Sequence, residues 1–162
     1  MAGTYTPFEV VITAIIQKEG KYLITRRSMH TSRFPGKWTV PGGHLEPSDF
    51  MKYPKDTEQY WYNVLEKALM REIQEEVGLN IENVRYVTSL ATEHKDSAAS
   101  IVLSCLADYV SGDVTLQEDE ADRYEWVSAE EAKQYALLDG IYDELVMADA
   151  LRRGEKYEWK RH

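Results

Sequence analysis

The chain reads as a single α/β domain. Three observations predict this class: β-branched and aromatic runs on both sides of a central helix, an acidic helix closed by glycine, and an apolar helical stripe near the C-terminus. Its 162 residues suit one domain, 1–162, built around one buried core. FEVVITAII at 8 to 16 and KYLIT at 21 to 25 flank the short connection KEG and predict a pair of strands. A loop from Ser28 to Lys37 follows. REIQEEVGL predicts a helix that Gly78 stops, because glycine enters the left-handed conformation of a helix end without strain. Further strands are predicted near 84 to 91, 99 to 110 and 123 to 128. SAEE at 128 to 131 is a capping box, in which serine and glutamate satisfy each other's orphan backbone donors, so a short helix should start after Ser128. A last helix is expected from about Asp139 to Arg153, with Ile141, Leu145 and Ala148 as its apolar stripe and Gly154 as its stop.

The segment from Pro41 to Leu79 carries the chemistry. It opens with PGGHLE and closes with REIQEEVGL, placing Glu72, Glu75 and Glu76 within one helical turn. At about 100° per residue these carboxylates share an arc, while Leu69, Met70, Ile73 and Val77 occupy another suited to a core. Like charges at these spacings cost roughly 0.2–0.5 kcal/mol per pair, and anions near a helix C-terminus oppose its dipole. A hard divalent cation, which takes oxygen ligands, would reverse that penalty. The alternative is a solvated acidic face. Gly42 and Gly43 upstream let the backbone approach a ligand closely.

These motifs resemble the Nudix hydrolases, whose signature is G, five residues, E, seven residues, then R-E-U-x-E-E-x-G-U with U aliphatic. Arg71, Glu72, Ile73, Glu75, Glu76, Gly78 and Leu79 fill the second half. Between the halves the chain departs from the pattern: Asp49 lies six residues beyond Gly43, and Arg71 follows 22 positions later instead of eight, an insertion of 14 residues. The family's first glutamate is therefore replaced by Asp49 or by Asn63, depending on where the insertion falls. KYLITRR, at 21 to 27, also resembles the strand of MutT-type nucleoside triphosphate hydrolases that ends in a phosphate-touching arginine, here Arg27; a strand end with solvated arginines is the alternative.

The resemblance implies the Nudix fold, an α/β/α sandwich around a mixed, curved sheet, and a Mg²⁺ site in which Mn²⁺ could substitute. It implies Glu75 and Glu76 as metal ligands, with a carbonyl of Gly42 or Gly43 as a further donor and Glu72 as general base or additional ligand. Arg71 holds the carboxylates in place, and Glu46 is a metal-associated acid. A distant acidic loop, QEDEAD, offers Glu118 or Glu120 as another base, with a solvated acidic turn as the alternative. Arg27, Gly43 and Trp38, beside the glycine turn, are the substrate-binding candidates. The inserted segment, 48 to 62, carries Phe50, Tyr53, Tyr60, Trp61 and Tyr62: either a lid that stacks on a nucleobase, or packing onto its own domain or a dimer partner.

Composition narrows the function. Hydrophobic residues make up 43% and charged residues 29%, and no apolar run approaches the roughly 20 residues of a membrane span. The N-terminus lacks the basic start and apolar stretch of a leader, so the expected compartment is the cytoplasm. A net charge of −9 argues against a long nucleic acid as partner, but not against a small anionic nucleotide held by metal and local arginines. Cys105, in SIVLSCLADYV, reads as a small core residue, and His30, His44, His94 and His162 show no paired zinc-ligand spacing. The expected activity is Mg²⁺-dependent hydrolysis of a diphosphate bond in a nucleoside diphosphate linked to another moiety. A nucleoside triphosphate giving monophosphate and pyrophosphate comes first. ADP-ribose, sugar nucleotides and dinucleoside polyphosphates are alternatives. A Nudix-fold module that binds a nucleotide without cleaving it is the rival from another class, motivated by the interrupted box. A homodimer is compatible with the family.

Overall fold

The computed structural model describes residues 3–162; the reading of the N-terminus as leaderless begins on residues 1 and 2, which lie outside them. In chain order the elements are β1 (Phe8–Lys18), β2 (Lys21–Arg27), β3 (Trp38–Thr39), β4 (Gly42–His44), α1 (Ser48–Met51), α2 (Val64–Val77), β5 (Asn80–His94), β6 (Ser97–Ser111), β7 (Ala121–Val127), a 3-10 turn (Glu131–Gln134) and α3 (Ile141–Arg152). The strands form one seven-stranded mixed sheet, the α/β architecture expected. β1 pairs antiparallel with β2 at the hairpin end and parallel with β6 along most of its length.

Beyond the hairpin, β1 and β2 part, and the chain from Trp38 to His44 bridges the fork. β3 pairs with β2 at Thr25 and Arg26, and β4 pairs with β1 from Val11 to Thr13. The glycine turn is thus pinned to the middle of the sheet. The two-residue periodicity of β1 divides its side chains. Ile12, Ala14 and Ile16 pack with Leu69, Ile73 and Val77 of α2, while Ile15 joins Leu145 and Ala148 of α3 in a second cluster on the other face. Helices therefore cover both faces. Cys105 is a buried free thiol in the first cluster, as its strand context predicted, and burial pushes its pKa up to about 11.

Three expectations need correction, and the alternatives for the insertion narrow. Met70 is exposed, not core: Ala68 takes the buried position beside Leu69, and the buried arc runs through Leu65 and Ala68 rather than Met70. The capping box forms, with the Ser128 N–H on Glu131 Oε2 at 2.8 Å and the Glu131 N–H on Ser128 Oγ at 3.1 Å. The helix stops after a single 3-10 turn because Tyr135 becomes extended and the next residues pair with Trp38, whose N–H donates to the Ala136 carbonyl. β5 and β6 are longer than predicted, since β5 includes polar residues that face solvent while its backbone stays paired through several bulges. Finally, the insertion folds on itself. Phe50 packs against Trp61 at 5.4 Å, and the Trp61 indole donates to the Tyr53 carbonyl at 2.9 Å. Among the described residues no helix is long and apolar enough to cross a membrane.

Candidate active site

A cleft of about 650 Å³ opens where the sheet forks, and its walls bring together Gly42, Gly43, Glu72, Glu76, Arg27 and Glu120. α2 delivers two of these carboxylates. Gly78, at φ 70°, ends the helix in the left-handed conformation, and the segment after β6 caps its last turn: the N–H groups of Thr115 and Gln117 donate to the Val77 and Glu76 carbonyls, each at 2.9 Å. Those bonds satisfy orphan helix acceptors. They also carry Glu120 from a distant loop to the helix.

Glu76 lies toward the apolar side of α2 and accepts the Gly42 N–H at 2.9 Å through Oε2. Withdrawal from water is the main cause that pushes its pKa up to about 7. The Gly42 bond opposes the rise, and the neighbouring charges of Glu120 and Glu72 add to it. Glu72 is also raised, again chiefly by burial, against the pull of Arg71. At Gly43 a Cβ would land on the Glu72 carboxyl group, so only glycine leaves room for a carboxylate against the backbone there.

Arg71 organises the rim. It forms a two-armed ion pair with Asp49, with Nη2 to Oδ2 at 3.0 Å, and its Nη1 lies 2.9 Å from both Glu72 and Glu75. Asp49 is 4% exposed, accepts the Glu46 N–H at 2.8 Å, and is held below the usual carboxylate range first by Arg71. The structure thus gives the position opposite Arg71 to Asp49. Asn63 instead stands at the left-handed entry to α2, with no side-chain capping bond.

The remaining candidates divide. Arg27 lines the cleft, steadied by a 2.7 Å bond from Nε to the Arg33 carbonyl, whereas Arg26 pairs outward with Asp122. Glu118 borders a different surface depression. Glu75 sits on the rim, 56% exposed and engaged by Arg71. Trp38 packs edge-on against Tyr135 at 4.9 Å, in the cluster under α3, and is not among the cleft-lining residues. No residue of 48–62 lines the cleft, so the inserted aromatics do not lie over it. Glu46, whose backbone N–H donates to Asp49 Oδ2 before α1, does not line the cleft.

The residues present suit a hard divalent cation. Two carboxylates are held against a glycine backbone that cannot fill the space, and a third, Glu120, raises the negative potential they share. Among the described residues no three His, Cys, Asp or Glu side chains are already gathered around one ion-sized point; Glu75 would have to leave Arg71 to join Glu72 and Glu76.

Sequence reasoning missed the far end of the cleft, where Glu9, His44, His94, Ser100 and Phe34 meet. The Ser100 hydroxyl lies 2.8 Å from Glu9 Oε2 and 2.7 Å from His94 Nε2, and its hydrogen bond is the first cause holding the Glu9 carboxyl below its usual range. The one signal available was a carboxylate inside the apolar run FEVVITAII.

The sequence model of the NUDIX domain family matches residues 6–148. Among curated proteins the chain is 33% identical, over 78% of its length and 86% of the relative's, to a nucleoside triphosphatase NudI of Klebsiella pneumoniae. It is 30% identical to a CTP pyrophosphohydrolase of Escherichia coli, over 78% of this chain and 81% of that one. A MutT NUDIX hydrolase from Burkholderia pseudomallei superposes with a TM-score of 0.68 at 21% identity, covering 87% of this chain and 98% of its own. With Glu72 and Glu76 of the signature lining one cleft and the family model matched over residues 6–148, the chain belongs to the NUDIX domain family.

Proposed function

We propose that this protein is a Mg²⁺-dependent pyrophosphohydrolase that cleaves a nucleoside triphosphate to the monophosphate and pyrophosphate. The observation that carries the reading is the placement of Glu72 and Glu76 against Gly42 and Gly43, in the same cleft as Arg27 and Glu120. Glu76 and Glu72, with the Gly42 carbonyl and Glu75 drawn from the rim, are the proposed metal donors. When bound, Mg²⁺ (or Mn²⁺ in its place) supplies positive charge to phosphate oxygens whose negative charge grows in the transition state.

The chain's own groups do the rest. Arg27 neutralises the outer phosphates, and Arg71, anchored on Asp49, fixes Glu72 and gives up Glu75 to the metal. Glu72 is committed to Arg71, whereas Glu120 makes no side-chain ion pair among the described residues. Glu120 is therefore assigned as the acceptor of the attacking water's proton, the P–O bridge breaking as the water oxygen bonds to phosphorus. The names of the relatives, a nucleoside triphosphatase and a CTP pyrophosphohydrolase, favour a triphosphate over ADP-ribose, sugar nucleotides or dinucleoside polyphosphates. The interrupted box was the motive for a binding-only alternative, and the Asp49–Arg71 pair counts against it. A soluble cytoplasmic nucleotide is the proposed partner.

The test is pyrophosphate release from a panel of nucleoside triphosphates with Mg²⁺ and with chelator, beside Glu76→Gln. Metal-dependent release that the variant loses by orders of magnitude supports the assignment. Turnover unchanged in the variant sinks the metal-ligand role, and a panel with no turnover sinks the triphosphatase reading.

A further inference from the structure

The cleft runs past the carboxylates and Arg27 to a polar group for which phosphate chemistry has no use. Its floor is the face of β1 bearing Glu9, Val11 and Thr13. Thr13 pairs with Gly42, and Glu9 lies four residues earlier on the same strand, about 13 Å away at 3.3 Å per residue. A nucleotide with its phosphates at Gly42 and Gly43 would bring its base toward Glu9.

The hydrogen bonding there fixes who donates. An ionised carboxylate only accepts, and the Ser100 hydroxyl has one proton to give. Ser100 therefore donates to Glu9 at 2.8 Å and accepts from His94, whose Nε2 must carry its proton to make the 2.7 Å bond. Pairing of Glu9 with Ser100 across β1 and β6 holds this chain of bonds in place. The result is an anionic acceptor with lone pairs to spare, flanked by donors: His44 Nε2 lies 3.7 Å from Glu9, and Arg33 reaches within 3.5 Å of His94. Phe34, 60% exposed at the mouth of the cleft, offers an aromatic face.

We propose that Glu9 reads the base and that this end of the cleft takes a guanine-type edge, two adjacent N–H donors beside a carbonyl oxygen. The inference rests on the nucleotide reading above and names the base. Guanine sets N1–H and its 2-amino group side by side, matching a carboxylate in two charge-assisted bonds, and its O6 then meets His44 or Arg33. Adenine and cytosine put a ring-nitrogen acceptor beside their amino group, so one lone pair would face another. Uracil offers a single N–H between two carbonyls. Phe34 stacks on whichever base is present and does not choose among them.

The experiment is calorimetric binding of GMP, IMP, AMP, CMP and UMP with Mg²⁺ to the wild-type chain, Glu9→Gln, Ser100→Ala and Phe34→Ala, each checked for an unchanged melting temperature. IMP lacks only the 2-amino group. GMP should bind roughly tenfold tighter than the other four, the scale of one good bidentate base contact. Glu9→Gln should erase that ratio, Ser100→Ala should weaken it by freeing the carboxylate, and Phe34→Ala should weaken all five alike, by roughly fivefold or more. Equal affinities in the wild type, a preference for adenine or cytosine, or a guanine preference that survives Glu9→Gln would each overturn the proposal. A Glu9-dependent preference for GMP without hydrolysis of GTP would fail the hydrolase reading alone. Hydrolysis of all five triphosphates at equal kcat/KM would fail the base reading alone.

Discussion

Replacing Glu76 by glutamine should make the metal-free protein more stable while destroying its activity. The carboxyl group carries a pKa of about 7 against an ordinary 4.5, principally because it is withdrawn from water. A raised carboxyl pKa means that the folded chain binds a proton more readily than the unfolded one between those values. Its contribution is therefore fully present below about pH 4.5 and lost as pH rises through 7. At about 1.4 kcal/mol for each pH unit between the two values, the loss by pH 8 is about 3.5 kcal/mol. Glutamine mimics the neutral acid, keeps an oxygen for the Gly42 N–H, and escapes that loss. Urea unfolding followed by tryptophan fluorescence, in chelator, should give the two proteins similar stability at pH 4.5 to 5. By pH 8 the variant should lead by up to about 3.5 kcal/mol, or roughly 7–14 °C in melting temperature for a chain of this size. Glu72 titrates in the same direction, and loss of the neighbouring Glu76 charge in the variant relieves it as well, which adds to the difference in the same sense. With Mg²⁺ the lead should shrink, because ligand binding stabilises only the chain that holds it, by about 2.7 kcal/mol at a hundredfold excess over Kd, and the order should reverse near a thousandfold excess, where the gain is about 4.1 kcal/mol. Parallel stability curves from pH 5 to pH 8 would refute the account of Glu76 as a strained buried carboxylate. Equal Mg²⁺ stabilisation of both proteins would refute its role as a ligand.

Gly43→Ala should fold yet lose hydrolysis by tenfold or more, since its Cβ must displace the Glu72 carboxyl group; titration of Mg²⁺ against activity will show whether the metal requirement rises, and unaltered kinetics would mean that Glu72 has room to move. Asp49→Asn should cost roughly 1–3 kcal/mol in urea unfolding at pH 7, with kcat reduced as Arg71 loses its anchor and Glu72 its positioning, while Asn63→Gly should keep full activity. Because Asp49 is held below its ordinary value, the gap between wild type and Asp49→Asn should persist at neutral pH and close only as pH falls through the native value, which acid titration of stability can follow. Glu120→Gln should lower kcat by tenfold or more without loss of folding, whereas Glu118→Gln, facing another surface, should leave kcat unchanged; steady-state kinetics beside thermal melting checks both.

The helix and the glycine turn were legible because their information is local. Ile73, Val77 and Gly78 lie within one turn of the carboxylates they orient, and period and stop signal can be read from a single segment. Met70 was misassigned for a reason visible on the same wheel: Glu76 falls only about 20° from Leu69, so the buried arc centres nearer the carboxylates than an apolar count suggests. A charged residue inside that arc is what raises the Glu76 pKa, and hydrophobic periodicity discounts it. The capping box was correct as a local bond and wrong as a helix, because pairing of the following residues with Trp38 outweighed propensity. Glu9 and Ser100 are 91 residues apart, and only the parallel alignment of β1 with β6 brings them together. The insertion and the 28–37 loop show the same contrast, since of the aromatics that stood out in the sequence Phe50 and Trp61 pack on each other and Tyr53, Tyr60 and Tyr62 face solvent, while Phe34, single and unremarked, reaches the cleft. The division follows the chemistry. Binding a phosphate and a cation needs a few hard oxygens and a close backbone, which one continuous segment can supply. Choosing a base needs donors and acceptors set at the distance of a nucleoside from that segment, and those must come from other strands.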